Sequence, residues 1–186
     1  EVSYRSLRAP AEIRKAAELF MALEDRGWKG ARGTSLLADP SITTFARTMT
    51  RLMARQGKIS IESLELDGRP IAMAVVLESN GRAYYWKLAY DEAFARYSPG
   101  VQLTLDLSLR LSARDDLTMI DSCAIPGHGM IERLWSDRLV LLDVFIPLGR
   151  TSRSSFEMAA RREHARRALR SVAKRAFLAA TRRRAL

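Results

Sequence analysis

Two short turn sequences, Asp67-Gly68 and Asn80-Gly81, divide the middle of the chain into three apolar segments. An Asx-Gly pair between apolar runs is the strongest short-range signal for a two-residue β-hairpin. The pattern therefore predicts three consecutive antiparallel strands, Lys58–Leu66, Pro70–Glu78 and Arg82–Tyr90. The second strand is apolar on both faces and is predicted to be central. The alternation of the first slips near Ser63, which predicts a β-bulge.

The segments on either side of this meander add helices and further strands. Before it, Val2–Arg8 is a predicted strand. Helical spacing of apolar residues begins at Pro10 and again at Pro40, which predicts two helices. A glycine-rich loop, EDRGWKGARGTS, lies between the two helices. The second helix carries its apolar residues on one face, namely Ile42, Phe45, Met49, Leu52 and Met53. After the meander we predict a strand (LTMIDS), a short helix (HGMIERLW), a strand (RLVLLDVFI) and a long helix opened by a Ser154–Glu157 capping box.

Residues 97–116, YSPGVQLTLDLSLRLSARDD, carry two conflicting signals. Their apolar residues alternate with polar ones, which is the period of a half-buried strand. The segment nevertheless starts at Pro99-Gly100 and is rich in leucine, a good helix former, with little β-branching. As a strand it would extend the meander. As a helix it would supply the crossover that a following parallel strand requires.

The positive charge of the chain is concentrated at its C-terminal end. The formal net charge is +10, and residues 158–186 hold ten Lys/Arg against one acid. We therefore predict a domain over 1–157 and a basic amphipathic helix over 158–186. The apolar stripe of that helix is Leu169, Val172, Ala173, Ala176, Phe177 and Ala180. Such a helix suits contact with an anionic membrane or RNA, but the shallow, alanine-rich stripe favours the alternative of a helix packed on the domain with solvated arginines.

Composition narrows the class of protein. A hydrophobic content of 47% excludes an intrinsically disordered chain. The single cysteine, Cys123, cannot form an internal disulfide, and no apolar run has the length of a membrane span. We expect a cytoplasmic protein, with a position peripheral to the inner membrane as the alternative. Two histidines and one cysteine give no credible metal cluster, so no metal is expected.

Three sequence blocks, LEDRGWKGARGTS, WKLAYDEAFARYSPGVQL and DSCAIPGHGMIERLWSDR, occur in this order between Phe20 and Pro147. Together they resemble the CelD-like acyltransferases named for cellulose biosynthesis, a FemAB-related branch of the GNAT N-acetyltransferase superfamily. The resemblance implies an α/β (α+β) fold with a GNAT-like mixed central sheet flanked by helices. It implies that residues 100–113 are the helix after the fourth strand. It also leads us to expect that the chain is the C-terminal domain of a longer, two-domain protein.

The same resemblance implies acetyl-CoA or another acyl-CoA as co-substrate. Its pantetheine arm would lie along the fourth strand and its pyrophosphate at the following turn and helix start, where free amides and the helix dipole favour an anion. Pro99 and Val101 stand where GNAT loops carry small residues, and Pro99 lacks an amide. We expect Gly100→Val to leave the fold intact while weakening CoA binding. The implied contacts are Lys87, Leu88, Ala89, Tyr90, Tyr97, Ser98, Pro99, Gly100 and Val101.

Acyl transfer to an amine also needs a base and a group that polarises the thioester carbonyl. A backbone N–H on strand 87–90 could polarise the carbonyl. The candidate bases are Glu24, Asp121 and His128, each with an ordinary structural alternative: a solvated helix end, a turn former and a loop histidine bonded to backbone. Trp135 stands where many GNAT enzymes carry a tyrosine acid, so the acid is unassigned, and Cys123 is predicted to be a small buried residue. The candidate acceptor contacts are Trp28, Lys29 and Asp91.

Three functions remain open from the sequence. The first is an acyl-CoA-dependent N- or O-acyltransferase acting on a small-molecule, glycan or peptide acceptor, with an envelope or polysaccharide link. The second is a FemAB-like transferase that uses aminoacyl-tRNA, with the basic tail contacting the RNA. The third is a degenerate, non-catalytic GNAT scaffold domain. A homodimer is compatible with each.

Overall fold

The computed structural model describes residues 1–147, 149 and 152–183. The chain divides into two compact units, Glu1–Ser136 and Asp137–Leu186. All strands and most helices listed below belong to the first unit, which also contains every residue predicted to act in catalysis or binding.

The first unit is built on one mixed five-stranded sheet. Its strands stand in chain order, and neighbours pair antiparallel from β1 to β4, whereas β5 pairs parallel to β4. Their bounds are β1 Val2–Leu7, β2 Ile59–Leu66, β3 Arg69–Ser79, β4 Arg82–Tyr90 and β5 Met119–Asp121. This confirms the predicted α/β class, the three-strand meander and the central position of β3.

The turns and bulges of the meander follow from local backbone chemistry. Asp67, Gly68, Asn80 and Gly81 all have positive φ, between 50° and 76°, as the two central residues of a type I′ turn require. The bulge predicted in β2 near Ser63 lies on the neighbouring strand instead: Leu64 faces Ala72 and Glu65 faces Pro70, which leaves Ile71 of β3 as the extra residue. A second shift lies in the β3–β4 pairing, where Val75 faces Lys87 and Val76 faces Tyr85, leaving Trp86 as the extra residue.

Helices cover both faces of the sheet. In the first unit they are α1 Pro10–Arg26, α2 Trp28–Ala31, α3 Pro40–Arg55, a 3-10 helix Glu92–Tyr97, α4 Pro99–Ser112 and α5 Ile131–Leu134. One apolar core joins α1 and α3 to the sheet, and a second joins α4 and α5 to the opposite face. The predicted glycine-rich loop contains α2. Helix α1 ends at Arg26, two residues beyond Glu24, with which that loop was predicted to begin.

Residues 99–112 form a helix, as the resemblance implied and against the alternation of the sequence. The turn before α4 explains the helix start, because Ser98 adopts a left-handed conformation with φ of 51° and Pro99 occupies the first helical position. Leu103, Leu107 and Leu111 are buried in the second core, whereas Leu105 and Leu109 lie on the solvent side. Two of the five alternating leucines therefore lie outside the core.

Helix α3 faces the core with its small and polar residues. Thr43, Ala46, Thr50 and Ala54 are buried, and Ile42, Phe45 and Leu52 from the predicted apolar face are exposed. The threonines tolerate burial because their hydroxyls donate to carbonyls, Thr43 Oγ1 to Leu36 O at 2.7 Å and Thr50 Oγ1 to Ala46 O at 2.8 Å.

The prediction of a strand at RLVLLDVFI is wrong. Residues 138–146 have no strand assignment, and Leu139 to Leu142 are all more than half exposed. A strand needs a neighbour to pair its backbone, and in the described ranges the sheet ends at β5, which spans three residues. The apolar composition of the segment predicted burial, but composition does not supply a pairing partner.

The second unit contains the long helix, α6, at Arg153–Arg183. Its start is capped two residues earlier than predicted, since the hydroxyl of Ser152 accepts a hydrogen bond from the Ser155 N–H at 3.2 Å. Glu157 instead accepts from Arg153 Nε at 3.0 Å. Phe177 and Ala180 of the predicted stripe lie outside the residues whose side chains are described. Within the part of the chain that the structure covers, no helix is both long and apolar enough for a membrane span.

Candidate active site

A cavity of about 610 Å³ opens in the first unit where β4 ends. Its walls come from the α1–α2 junction, β4, the start of α4 and the loop that follows β5. Tyr97, Asp91 and Asp121, three of the predicted site residues, do not line it. The predicted residues that do line it are Glu24, Trp28, Lys29, Lys87, Leu88, Ala89, Tyr90, Ser98, Pro99, Gly100, Val101 and His128.

The cavity exists because β4 and β5 separate. The two strands pair only at Arg82, Ala83 and Tyr84 of β4, whereas the β3–β4 pairing continues to Tyr90. In the described chain the outer edge of β4 beyond Tyr84 therefore has no strand beside it. A backbone edge of this kind offers N–H and C=O groups to an extended ligand.

The start of α4 presents few free donors. Val101 and Gln102 both donate their N–H groups to Ser98 O, at 2.9 and 3.1 Å, and Pro99 has no N–H. Among the described groups of this first turn, only the Gly100 N–H lacks an acceptor. An anion at this end of the cavity would thus meet one free amide, the Ser98 hydroxyl and the positive end of the helix dipole.

Gly100 packs closely on β4. A Cβ on this buried residue would lie 3.0 Å from Leu88 Cδ2 and 3.5 Å from Tyr90 Cδ1. Because the two methyls of valine would press on these β4 side chains, Gly100→Val is expected to cost stability in addition to weakening CoA binding.

Three charged side chains form the floor of the cavity. Glu24, near the end of α1, is buried, and its Oε1 accepts from Lys29 Nζ at 2.9 Å and from Lys87 Nζ at 2.8 Å. Its Oε2 accepts from the Leu36 N–H at 2.8 Å. Burial by itself raises the pKa of Glu24, but the hydrogen bonds from Lys87, Lys29 and Leu36 outweigh it and hold the pKa below its ordinary value. Glu24 is thus a carboxylate whose oxygens are already occupied, which makes it a weak base.

Helix α2 places Lys29 in this cluster. Gly30 packs so closely on the end of α1 that a Cβ would lie 1.7 Å from the Asp25 carbonyl oxygen, so only glycine allows this approach. The Trp28 N–H donates to Glu92 Oε1 at 2.6 Å, which ties the helix start to the segment after β4. Lys29 Nζ then reaches the free edge of β4, where it donates to Leu88 O at 3.2 Å.

A hydrogen-bonded chain fixes α4 against β4 behind the cavity. The Tyr85 hydroxyl and Thr104 Oγ1 lie 2.8 Å apart, and Thr104 also donates to Gly100 O at 2.7 Å. Burial raises the pKa of Tyr85 to about 12, although the Thr104 hydrogen bond opposes the shift, so this phenol stays protonated near neutral pH. The Trp135 indole donates to Ser108 Oγ at 2.9 Å on the same helix.

The loop after β5 contributes His128 and Cys123 to the wall. His128 Nδ1 accepts from the Ile131 N–H at 3.4 Å, the backbone hydrogen bond of its structural alternative. The side chain of Asp121 accepts from the Cys123 N–H at 2.7 Å, which is the geometry of a turn former. Cys123 is exposed, contrary to the prediction that it is buried, and burial of its sulfur together with the Asp121 charge raises its pKa. A thiol with a raised pKa is a poor nucleophile.

The remaining predicted contacts hold surface structure. Asp91 accepts from Arg69 Nη2 at 2.7 Å and caps the 3-10 helix through the Ala93 N–H. Tyr97 lies under the Arg96 guanidinium at 4.5 Å and is half exposed. Trp28 is half exposed at the mouth, with the Arg32 guanidinium 5.0 Å from its ring centre. Among the described residues, no group of three or more potential ligands could hold a metal ion.

Sequence reasoning missed Tyr85 and Glu92, both of which line the cavity. It also missed that Lys87 reaches Glu24. Tyr85 could have been inferred from strand alternation, since it is the residue of β4 that faces α4 before the Trp86 bulge. No local signal joins residues 24 and 87, because their contact depends on how α1 crosses the sheet.

Comparison of the sequence with protein families gives one match. The Acetyltransferase (GNAT) domain family matches residues 1–127, more than half of the 186-residue chain. No curated protein matches the sequence.

Comparison of the fold with solved structures gives distant relatives. An aminoglycoside acetyltransferase from an uncultured soil metagenomic sample, in complex with sisomicin, has a TM-score of 0.52 at 12% identity, covering 80% of this chain and 97% of its own. A possible acetyltransferase from Clostridium difficile 630 has a TM-score of 0.55 at 13% identity, covering 78% and 98%. AAC(6')-Iy in complex with the bisubstrate analog CoA-S-monomethyl-acetylneamine has a TM-score of 0.52 at 12% identity, covering 78% and 99%. These likenesses show a shared fold, and the family match shows that the chain belongs to the GNAT acetyltransferases.

Proposed function

We propose that this GNAT-family chain transfers an acyl group from acyl-CoA to an amine or hydroxyl of an acceptor held in the cavity at the end of β4. The observation that carries the proposal is the separation of β4 from β5, which leaves a free strand edge leading to the start of α4. This is the arrangement that a long, thin donor ending in phosphates needs.

The donor fits the residues present. The edge of β4 from Lys87 to Tyr90 can hydrogen-bond the amides of a pantetheine arm, and the Gly100 N–H and Ser98 hydroxyl can hold phosphate oxygens. The solved relative with a CoA-containing bisubstrate analog supports the same donor.

The chemistry assigns separate roles to the chain's own groups. Bound acyl-CoA supplies an activated carbonyl and a thiol leaving group. A β4 backbone N–H beside the Trp86 bulge donates to the carbonyl oxygen as negative charge develops on it. His128, whose ring lines the cavity, accepts the proton of the acceptor at Nδ1, which gives up its 3.4 Å hydrogen bond from the Ile131 N–H to do so. Glu24, whose oxygens are taken by two lysines, orients them and keeps the floor of the cavity charged.

Calorimetric titration with CoA and acetyl-CoA tests the donor assignment. We expect both to bind the full chain with one site, and we expect acetyl-CoA to be hydrolysed or transferred when a panel of amines is supplied. Absence of binding by a folded protein would contradict the acyl-CoA proposal and favour the aminoacyl-tRNA or scaffold alternatives.

Replacing His128 by alanine tests the proton acceptor. We expect the turnover number to fall about a hundredfold, as is typical when a general base is removed, with CoA affinity unchanged. Added imidazole should restore part of the lost rate in His128→Ala. Equal turnover in both proteins would remove His128 from the reaction. His164→Ala, which removes the other histidine of the chain, outside the cavity lining, is the control.

The finer subfamily is also a proposal. The three sequence blocks support a CelD-like, FemAB-related branch with an envelope- or polysaccharide-related acceptor, in a protein of the cytoplasm or the periphery of the inner membrane. The basic helix α6 supports contact with a polyanion, because its arginines from Arg161 to Arg170 are exposed or half-exposed.

Deletion of residues 158–186 tests that contact. We expect the truncated chain to lose affinity for anionic vesicles and for RNA, since it loses nine of ten net positive charges, while CoA binding persists. Co-sedimentation and filter binding at two salt concentrations measure the change. Replacing Arg14, Lys15 and Arg51 by glutamine removes three exposed charges elsewhere and should have little effect. If a soluble truncated chain bound vesicles and RNA as strongly as the parent, the polyanion site would lie in residues 1–157.

A further inference from the structure

The floor of the cavity carries more positive than negative charge. Lys29 and Lys87 share one oxygen of Glu24, and their side chains are 22% and 21% exposed against 1% for Glu24. The second oxygen of Glu24 is satisfied by the Leu36 N–H. Two ammonium groups thus stand beside one carboxylate, and the cluster has a net charge of +1.

Both ammonium groups keep hydrogen-bond capacity. An ammonium has three N–H donors. Lys29 spends two of them, on Glu24 and on Leu88 O, and Lys87 spends one, on Glu24. Within the described residues the remaining donors have no acceptor, and both lysines line the cavity.

The surroundings make an unneutralised charge costly. Leu23, Ala89, Ile125 and Ile131 are among the apolar residues of the wall, and a charge in an apolar cavity needs a partner. The other carboxylate of the wall, Glu92, accepts the Trp28 N–H at 2.6 Å through Oε1, and the ion pairs of both lysines are with Glu24. An anionic ligand would supply the missing partner through charge-assisted hydrogen bonds from both lysines.

We propose that the acceptor carries an oxyanion, a carboxylate or a phosphate, that binds between Lys29 Nζ and Lys87 Nζ. This inference rests on the proposed function, because it takes the cavity floor as the acceptor side of the site. A polycationic acceptor such as sisomicin, bound by one of the relatives of similar fold, would meet like charge here. The subsite therefore selects acidic acceptors and disfavours aminoglycosides.

Matched pairs of small amines test the subsite. D-Glucosamine 6-phosphate is compared with D-glucosamine, L-glutamate with L-glutamine, and sisomicin serves as the cationic probe. The titrations use the 186-residue chain saturated with CoA, so that the bound CoA prevents the probes from binding at the proposed phosphate site of α4. We expect at least one anionic compound to bind ten times more tightly than its neutral partner. Comparison of the glucosamine 6-phosphate pair with the glutamate pair shows whether phosphate or carboxylate is preferred. We expect no binding of sisomicin.

Lys87→Met and Lys29→Met identify the site, and Lys15→Met, an exposed lysine of α1, is the control. Each cavity variant leaves Glu24 paired with the other lysine, and circular dichroism verifies folding. We expect the tenfold preference to disappear in both cavity variants and to persist in the control. The inference is overturned if neither anion binds the parent, if the neutral partners bind equally, or if both folded cavity variants keep the preference.

Failure of the proposed function is a separate outcome. If the parent protein binds no CoA, the acyl-CoA assignment fails, and the same titrations in CoA-free protein still decide the oxyanion subsite. An anion that binds only at the start of α4 would be insensitive to Lys87→Met and would be displaced by CoA.

Discussion

Glu24→Gln is expected to destabilise the protein by about 3 kcal/mol. Removing one partner of a buried ion pair leaves its charge uncompensated. Here it leaves two ammonium groups facing each other with an amide between them, and the amide oxygen of glutamine can satisfy only some of the three donors that now meet at Glu24. Urea unfolding at neutral pH measures the loss.

The pH dependence provides an independent check on this assignment. The folded-state pKa of Glu24 lies below its ordinary value, so its stabilising contribution is present above the ordinary pKa and is lost as pH falls through the folded-state pKa. The difference in unfolding free energy between the parent and Glu24→Gln should therefore be largest at neutral pH and should shrink in acid. A difference that grows as pH falls would contradict the ion-pair account.

Glu18→Gln is the matched control on the same helix. Glu18 forms a bidentate pair with Arg47, but both side chains are more than 40% exposed. Exposed pairs contribute about 0.2–1 kcal/mol, so this substitution should cost far less than Glu24→Gln. Equal losses of unfolding free energy in Glu18→Gln and Glu24→Gln would mean that burial of the cluster of Glu24, Lys29 and Lys87 adds nothing to stability.

Gly100→Val is expected to weaken CoA binding at least tenfold and also to destabilise the fold by about 2 kcal/mol through overpacking. The structural cost arises because the Cβ position lies 3.0 Å from Leu88 on β4. Displacement of α4 would also move the free Gly100 N–H away from the phosphates. Calorimetry and thermal unfolding of the same preparations separate the two effects.

Three further variants resolve whether the expected loss of CoA affinity in Gly100→Val arises from a lost phosphate contact or from altered packing. Gly100→Ala requires Leu88 to move by only tenths of an ångström and should reduce CoA affinity less than valine does. Ser98→Ala removes one hydroxyl and should cost about 1 kcal/mol of binding. Gly129→Val adds bulk where nothing lies within 4 Å, outside the cavity wall, and should change neither quantity. Unchanged CoA affinity in folded Gly100→Val would show that the phosphates bind elsewhere.

The meander was predictable because its information is local. The two Asx-Gly turns specify φ values that the chain then adopts, and the strands between them carry the expected apolar patterns. The helix at residues 99–112 was predictable from the Ser-Pro-Gly turn together with the family resemblance, against the leucine periodicity that indicated a strand. The charged cluster on the cavity floor was harder to predict from the sequence, because the contact of Glu24 with Lys87 spans 63 residues and follows from the packing of α1 on the sheet.

The predictions that proved wrong also depended on contacts between residues that are distant in the sequence. RLVLLDVFI has the composition of a buried strand, but pairing depends on a neighbour that its own residues do not encode. The outward-facing stripe of α3 and the packing role of Gly100 likewise depend on which face of each helix meets the sheet. Patterns along the chain identify what an element is, and the distant contacts determine which of its side chains matter.

The alternating leucines of α4 have a consequence for how the chain reaches its fold. Paired as a strand beside β4, Leu103, Leu105, Leu107, Leu109 and Leu111 would share one face, whereas the helix buries only three of them. The nascent chain therefore has a competing hairpin available before β5 is synthesised, and a strand with such a face is prone to aggregate. The left-handed Ser98 and the missing amide of Pro99 oppose that hairpin at its first residues. The turn before α4 thus disfavours the alternative strand pairing as well as shaping the cavity.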